Sequence, residues 1–229
     1  MSSRRSATPA SKEYALETAL NTMPAAWEGV KLELMDYRDT GTYIMQGSEK
    51  MTQLMEDQIT MTQAIAFSPF KGVHEEVIGE WDKKLDAVSE VIEEWLACQR
   101  NWMYLEPIFS SDDTNKQLPL EPTRFNTVHQ KWEKNMAHAI KNPGVIDYCA
   151  NEKLIDFQES NKLLELVSKG LNEYLETKRT GLARFYFLSN DELLEIPSQT
   201  KDPRAAQPHL RKCFEAIASR ERNSRTTWP

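Results

Sequence analysis

Few side chains in this sequence stand at spacings that carry chemistry. His209 and Cys213 lie one helical turn apart and offer an imidazole and a thiolate to a metal ion. A tetrahedral site needs further ligands, none lies nearby in sequence, and the two are read as neighbours on a helix face. Cys98, Cys149 and Cys213 are odd in number and far apart. They offer neither a disulfide framework nor a CxxC ligand pair, which fits a reducing compartment. The pairs Glu75-Glu76 and Glu93-Glu94 are adjacent rather than stacked, so they read as solvated helix face and not as a general acid facing a general base. The phosphate-cradling GxxxxGK[ST] pattern, HExxH, GxSxG and the glycine-rich dinucleotide fingerprint do not occur. No catalytic residue, cofactor site or metal site is expected.

Six tryptophans could serve as base-stacking platforms, but such platforms work beside a positive groove. The formal net charge is -7 and the pI is about 5.3, which argues against a nucleic-acid or anionic-membrane partner. No apolar run approaches the length that spans a bilayer, and Ser2, Ser3, Arg4, Arg5 and Ser6 lack a secretory apolar stretch. The expectation is an intracellular, soluble protein whose tryptophans are core.

The elements that must hold those tryptophans follow from periodicity. Residues 1–10 are polar and are expected to be disordered. A helix is expected from Ser11 to about Leu34, interrupted or restarted at Pro24, with Tyr14, Leu16, Leu20, Trp27 and Leu34 on one side. Around Asp39-Thr40-Gly41 the period shifts to two, which predicts a small β-hairpin over 32–46. Ser48 is expected to cap a helix through Phe67 that buries Met51, Leu54, Met55, Ile59 and Ile65 and stops at Ser68-Pro69. The methionines there are read as core filler.

After Gly72 the strongest pattern appears: Trp81, Leu85, Val88, Ile92, Trp95, Gln99 and Trp102 alternate steps of four and three, a heptad seam that Pro107 should end. A second helix is expected from Glu121 or Pro122 to Ile140, burying Phe125, Val128, Trp132, Met136 and Ile140, with Asn142-Pro143-Gly144 as its break. A third runs from Val145 or Glu152 to Lys178, with Leu164, Val167, Leu171, Tyr174 and Lys178 in heptad register and Leu163, Leu166 and Leu175 widening the stripe. Phe185, Tyr186, Phe187 and Leu188 form a dense apolar cluster. Ser189 or Asn190 should cap a short helix ended by Pro197, and a last helix should run from Lys201-Asp202-Pro203 to Ala218. The fold class is mostly α: elongated antiparallel helical bundles with one hairpin.

Three stretches of sequence, in order, carry a resemblance. Trp95 to Ser111, WLACQRNWMYLEPIFSS, resembles the tryptophan-rich signature of the dynein heavy chain linker. Gln117-Leu118-Pro119 followed by Phe125 and Trp132 is similar to the same region. So is the third and longest stretch, KRxxxxRFYFLSNDELLEI from Lys178 to Ile196 continued by TKDPxxxQPHLxKCFE from Thr200 to Glu215. The resemblance spans about Ala25 to Ile217, and the form YLEPIFSS is closer to axonemal than to cytoplasmic heavy chains.

The resemblance implies a rod of helical bundles, residues 11–219, that arches over a ring of AAA+ modules and swings as the ring turns over ATP. The implied partner is that ring in cis, together with other dynein subunits, in the cytoskeleton of the cilium or flagellar axoneme. Trp95, Trp102, Tyr104, Leu105 and Phe109, with Phe185, Tyr186, Phe187 and Leu188, are the candidates for packing and ring docking. Bending is expected at Pro107 to Gln117, Asn142 to Gly144 or Arg179 to Arg184. Two departures stand out: Pro197 replaces an aliphatic helix residue of the family, and after Ile217 the motifs give way to a polar tail, 220–229, so that the chain reads as truncated. The competing reading is a stand-alone helical adaptor of the cilium or cytoskeleton.

Overall fold

Apolar side chains at steps of three and four dominate the sequence, and the computed structural model turns them into helices. It describes residues 9–69, 71–110, 115–150, 152–190, 192–194, 209 and 212–214. The described order is α1 (Pro9–Trp27), β1 (Leu34–Asp36), β2 (Tyr43–Met45), α2 (Ser48–Ala66), a 3-10 turn (Gly72–His74), α3 (Glu75–Phe109), α4 (Glu121–Lys141), α5 (Val145–Cys149), α6 (Lys153–Gly181) and a second 3-10 turn (Ala183–Phe187). The fold is mostly α with an antiparallel hairpin, as the periodicity predicts. The expected disorder of 1–8, the course of the chain beyond Leu194 including Pro197, most of the helix from Lys201 to Ala218 and the tail 220–229 lie outside the described residues.

The chain divides into two units, one of Met1–Arg100 with His129–Asn161 and one of Asn101–Val128 with Lys162–Pro229. In the first, Leu16, Leu20 and Met23 of α1 pack with Ile65 of α2 and Ile78 of α3, and Met61 and Trp81 close the cluster. Burying each such side chain contributes about 1.5–3 kcal/mol relative to exposure. Pro9 and Ala10 already belong to α1, and Pro24 lies inside it without a restart. Only one turn follows Pro24, so a single intrahelical bond is missing while buried Met23 and Trp27 hold the turn in place. Tyr14 is exposed and Leu34 leaves the helix for β1, which corrects the expected stripe.

The hairpin pairs Leu34 with Met45, Met35 with Ile44 and Asp36 with Tyr43. Its loop takes a positive φ at Arg38 and Gly41 and closes through the Tyr37 amide donating to the Thr42 carbonyl at 2.9 Å. The entry to α2 differs from expectation: Gly47, at φ 65, occupies the N-cap, and Ser48 is the first helical residue. A left-handed residue reverses the chain between strand and helix, which glycine does at little cost. The buried stripe of α2 runs Met51, Met55, Gln58, Thr62 and Ile65, with Leu54 and Ile59 only half-buried.

Along α3 the seam from Leu85 through Trp102 is buried, with Trp81 half-buried at its start. The helix continues two residues past Pro107 to Phe109, because the proline lies near the end and costs only one hydrogen bond. α4 buries Phe125, Val128, Trp132 and Met136 as expected, but Ile140 is exposed and Ala139 takes the inner position. The third helix begins in two pieces, α5 and α6, broken near Ala150. Leu164, Val167, Leu171 and Leu175 form its buried stripe, while Leu166 and Lys178 face outward.

Candidate functional site

Trp95, in the first unit, is fully buried. Its ring stacks on Phe157 of α6 at 5.2 Å and tilts against Tyr148 of α5 at 5.1 Å, and Trp132 of α4 meets Phe157 edge-on at 6.5 Å. Aromatic pairs at these separations add about 0.5–1.5 kcal/mol each beyond burial. Four helical segments therefore converge on one aromatic cluster.

The hairpin is fastened to the same helices through its outer edge. The Met45 amide donates to Gln99 Oε1 at 2.8 Å, and Gln99 Nε2 donates to the Met45 carbonyl at 3.0 Å, so one side chain satisfies both backbone groups. Trp132 Nε1 donates to the Tyr43 carbonyl at 3.1 Å. An open strand edge is thereby closed by side chains of α3 and α4. The break before α5 is clamped as well: the Leu32 amide donates to the Pro143 carbonyl at 2.8 Å, and Lys31 and Gly144 form an antiparallel bridge. Asn161 ties α6 to α3, donating to the Glu94 carbonyl at 2.9 Å and to Glu94 Oε2 at 2.5 Å.

The other eight candidates belong to the second unit. Trp102, Leu105 and Phe109 are buried, and Phe109 stacks on Phe125 at 5.1 Å. Tyr104, one position off that stripe, is 44% exposed. The run Phe185 to Leu188 splits in the same way. Leu188 is buried and Phe185 half-buried, whereas Tyr186 is 58% and Phe187 71% exposed. Tyr186 and Phe187 face outward where Phe185 and Leu188 turn in, because a 3-10 turn has three residues per turn and four consecutive apolar side chains cannot share one inner face.

Two arginines hold this turn. Arg179, in the last turn of α6, donates to the Leu188 carbonyl at 3.2 Å, to Asn190 Oδ1 at 2.7 Å and to Glu176 Oε1 at 3.0 Å. Arg184 donates to the Cys213 carbonyl at 2.9 Å and lies 4.7 Å from the Phe214 ring centroid. Ser189 then caps the next helical turn in the expected way. Its Oγ accepts from the Glu192 amide at 3.3 Å, while its amide donates to Glu192 Oε2 at 2.9 Å, a reciprocal capping box. The Lys212 ammonium and the Ser189 amide hold the Glu192 carboxyl down at about 2.

Burial pushes the Cys98 and Cys149 thiols up to about 12, which leaves them protonated and unreactive at neutral pH. His209 and Cys213 are both buried, and no group of three or more metal-ligating side chains forms among the described residues. Glu75, Glu76 and Glu93 are exposed. Sequence reasoning placed Gln99 on the seam without seeing its function, although a glutamine on an apolar stripe signals a buried partner. Asn161 gave no such signal, because its partner Glu94 lies 67 residues away, and Arg179 gave none, because Leu188 and Asn190 meet it only once the turn after α6 has folded back.

Comparison with known proteins agrees with the motifs. The family model for dynein heavy chain, N-terminal region 2, matches residues 4–227, which takes in the stretch after Ile217 where the motifs stop. The chain is 54% identical over 210 residues to dynein axonemal heavy chain 1 of Rattus norvegicus, covering 91% of this chain and 5% of that protein. It is 46% identical over 213 residues to dynein axonemal heavy chain 12 of Rattus norvegicus, covering 93% and 7%. It is 44% identical over 213 residues to dynein axonemal heavy chain 3 of Homo sapiens, covering 93% and 5%. The chain thus spans between 5% and 7% of the length of these relatives.

Proposed function

The chain belongs to the dynein heavy chains, in their N-terminal region 2, and from that premise we propose that it is a segment of the mechanical linker, transmitting the ATP-driven change of the AAA+ ring in axonemal, microtubule-based motility. The likeness is to the N-terminal region and not to the ATPase ring. On this reading hydrolysis belongs to the ring, the partner is that ring in cis with other dynein subunits around it, and residues 11–219 are the working region ahead of the polar tail 220–229. The setting is the cytoskeleton of a cilium or flagellum.

The observation that supports it is the set of long helices with unbroken buried stripes: α3 has 35 residues, α4 21 and α6 29. At 1.5 Å per residue α3 is about 50 Å long. Packed helices resist deformation, so a force-bearing element of this build bends at joints and not along its members. Of the three expected joints, Asn142 to Gly144 is clamped by the pairing with residues 31 and 32, and Arg179 to Arg184 is clamped by Arg179. Bending at either requires those bonds to exchange partners.

The test is made in the complete motor. Trp102→Ala loosens a buried position without touching the ring's nucleotide site, so microtubule gliding should slow severalfold while ATP hydrolysis continues near its normal rate. Gliding and hydrolysis that stay unchanged, or that fall in proportion, would contradict a transmitting role.

A further inference from the structure

Within the first unit, α1 is joined to its neighbours differently from the helices around Trp95. Side-chain hydrogen bonds from Gln99, Trp132 and Asn161 fasten α3, α4, α6 and the hairpin to one another. Between Glu13 and Trp27, α1 instead buries Leu16, Leu20, Met23 and Trp27, and among the described residues no ion pair links it to another element. The polar side-chain contact across its interface is the Thr62 hydroxyl, 3.9 Å from Met23 Sδ, and that hydroxyl already donates to the Gln58 carbonyl at 2.8 Å. The hydroxyls of Thr18 and Thr22 turn back onto the helix itself, donating to the Tyr14 and Ala19 carbonyls.

α1 and α2 run antiparallel, because Leu16 and Leu20 pack with Ile65 while Met23 meets Thr62. One turn beyond that contact, Trp27 of α1 and Gln58 of α2 come to the same level of the interface. Both are buried, and Trp27 Nε1 and Gln58 Oε1 have no hydrogen-bond partner among the described residues. Pro24, on the same stretch of α1, cannot donate to the Leu20 carbonyl. Buried polar groups without partners favour any state in which water reaches them. Just past the helix, Gly29 takes φ 88, and a Cβ built there would meet nothing within 4 Å. The chain is anchored immediately afterwards, where the Leu32 amide donates to the Pro143 carbonyl and Lys31 bridges Gly144.

We infer that α1 is a strap that opens as one body about Gly29 while the rest of the first unit stays folded. Burial of its apolar stripe keeps it closed. Opening hydrates Trp27 Nε1 and Gln58 Oε1 and uncovers Ile65 and Ile78, which α1 covers in the closed form. α2 stays behind, since it continues from the paired strand β2 at one end and leads into the turn before α3 at the other. Cooperative local openings of this kind are a property of native proteins, and they fall where few bonds must break.

Native-state hydrogen exchange of the 229-residue chain, read amide by amide over a denaturant series, tests the strap. Amides from Thr18 to Trp27 should share one protection factor, at least about tenfold below that of Leu85 to Gln99 in α3, with a shallower denaturant dependence because less surface is exposed than in global unfolding. Gln58→Met keeps the side chain's length and removes the buried acceptor, so it should raise the protection of α1 severalfold. Protection of α1 equal to that of α3, or protection graded from Thr18 up to Trp27 as in a fraying helix end, would overturn the strap. So would a Gln58→Met chain in which α1 is protected no better than before.

Discussion

Trp95 and Phe187 come from the two aromatic runs that stand out in the sequence, and they occupy opposite environments. Trp95 is enclosed by Tyr148 and Phe157, so Trp95→Ala should cost about 3–5 kcal/mol of stability. Phe187 is 71% exposed, and Phe187→Ala should stay within about 0.5 kcal/mol. Denaturant unfolding of both variants checks the contrast, and equal losses would refute the placement of one of them. Trp95 was legible because it falls on a heptad step of a long helix. Phe187 was not, because composition reports apolarity while the tightness of the turn decides which of four neighbours turns inward. Glu192 makes a pH prediction of definite sign. Its carboxyl is held at about 2 instead of 4.5, so its contribution to the capping box is complete above 4.5 and is lost as pH falls toward 2. An NMR titration should find that low midpoint and find it raised in Lys212→Ala; a midpoint near 4.5 in the unaltered chain would contradict it.

At the scale of elements, periodicity located α2, α3, α4 and the hairpin to within a few residues, and it misjudged the places where backbone chemistry competes. Pro24 reads as a breaker, but with one turn left and Trp27 to bury, packing outweighs the single lost bond. The hairpin's attachment was not legible, because the partner of Met45 lies 54 residues away on Gln99. Gln99→Ala removes both bonds and leaves a buried amide and carbonyl unpaired, a cost of about 1–3 kcal/mol for each such group. Hydrogen exchange should show the Met45 amide losing protection while the middle of α3 keeps its own. If Met45 stays as protected as before, another group fastens the hairpin.

For the whole molecule, the family was readable from three motifs, since a run such as WMYLEPIF is specific where an amphipathic stripe is generic. The division into two units was not readable. Each unit joins separated stretches, 1–100 with 129–161 and 101–128 with 162–229, and the boundaries fall inside α3, α4 and α6 where no turn residue marks them. The central claim, that these residues form part of the linker of a heavy chain, is tested most directly by the size of the native polypeptide that carries residues 102–109. Immunoblotting of ciliated cells, with peptide mapping downstream of Ser219, should find a very large chain that continues into a P-loop module. A native species of about this chain's own length, without downstream peptides, would contradict the linker account and leave a stand-alone helical protein.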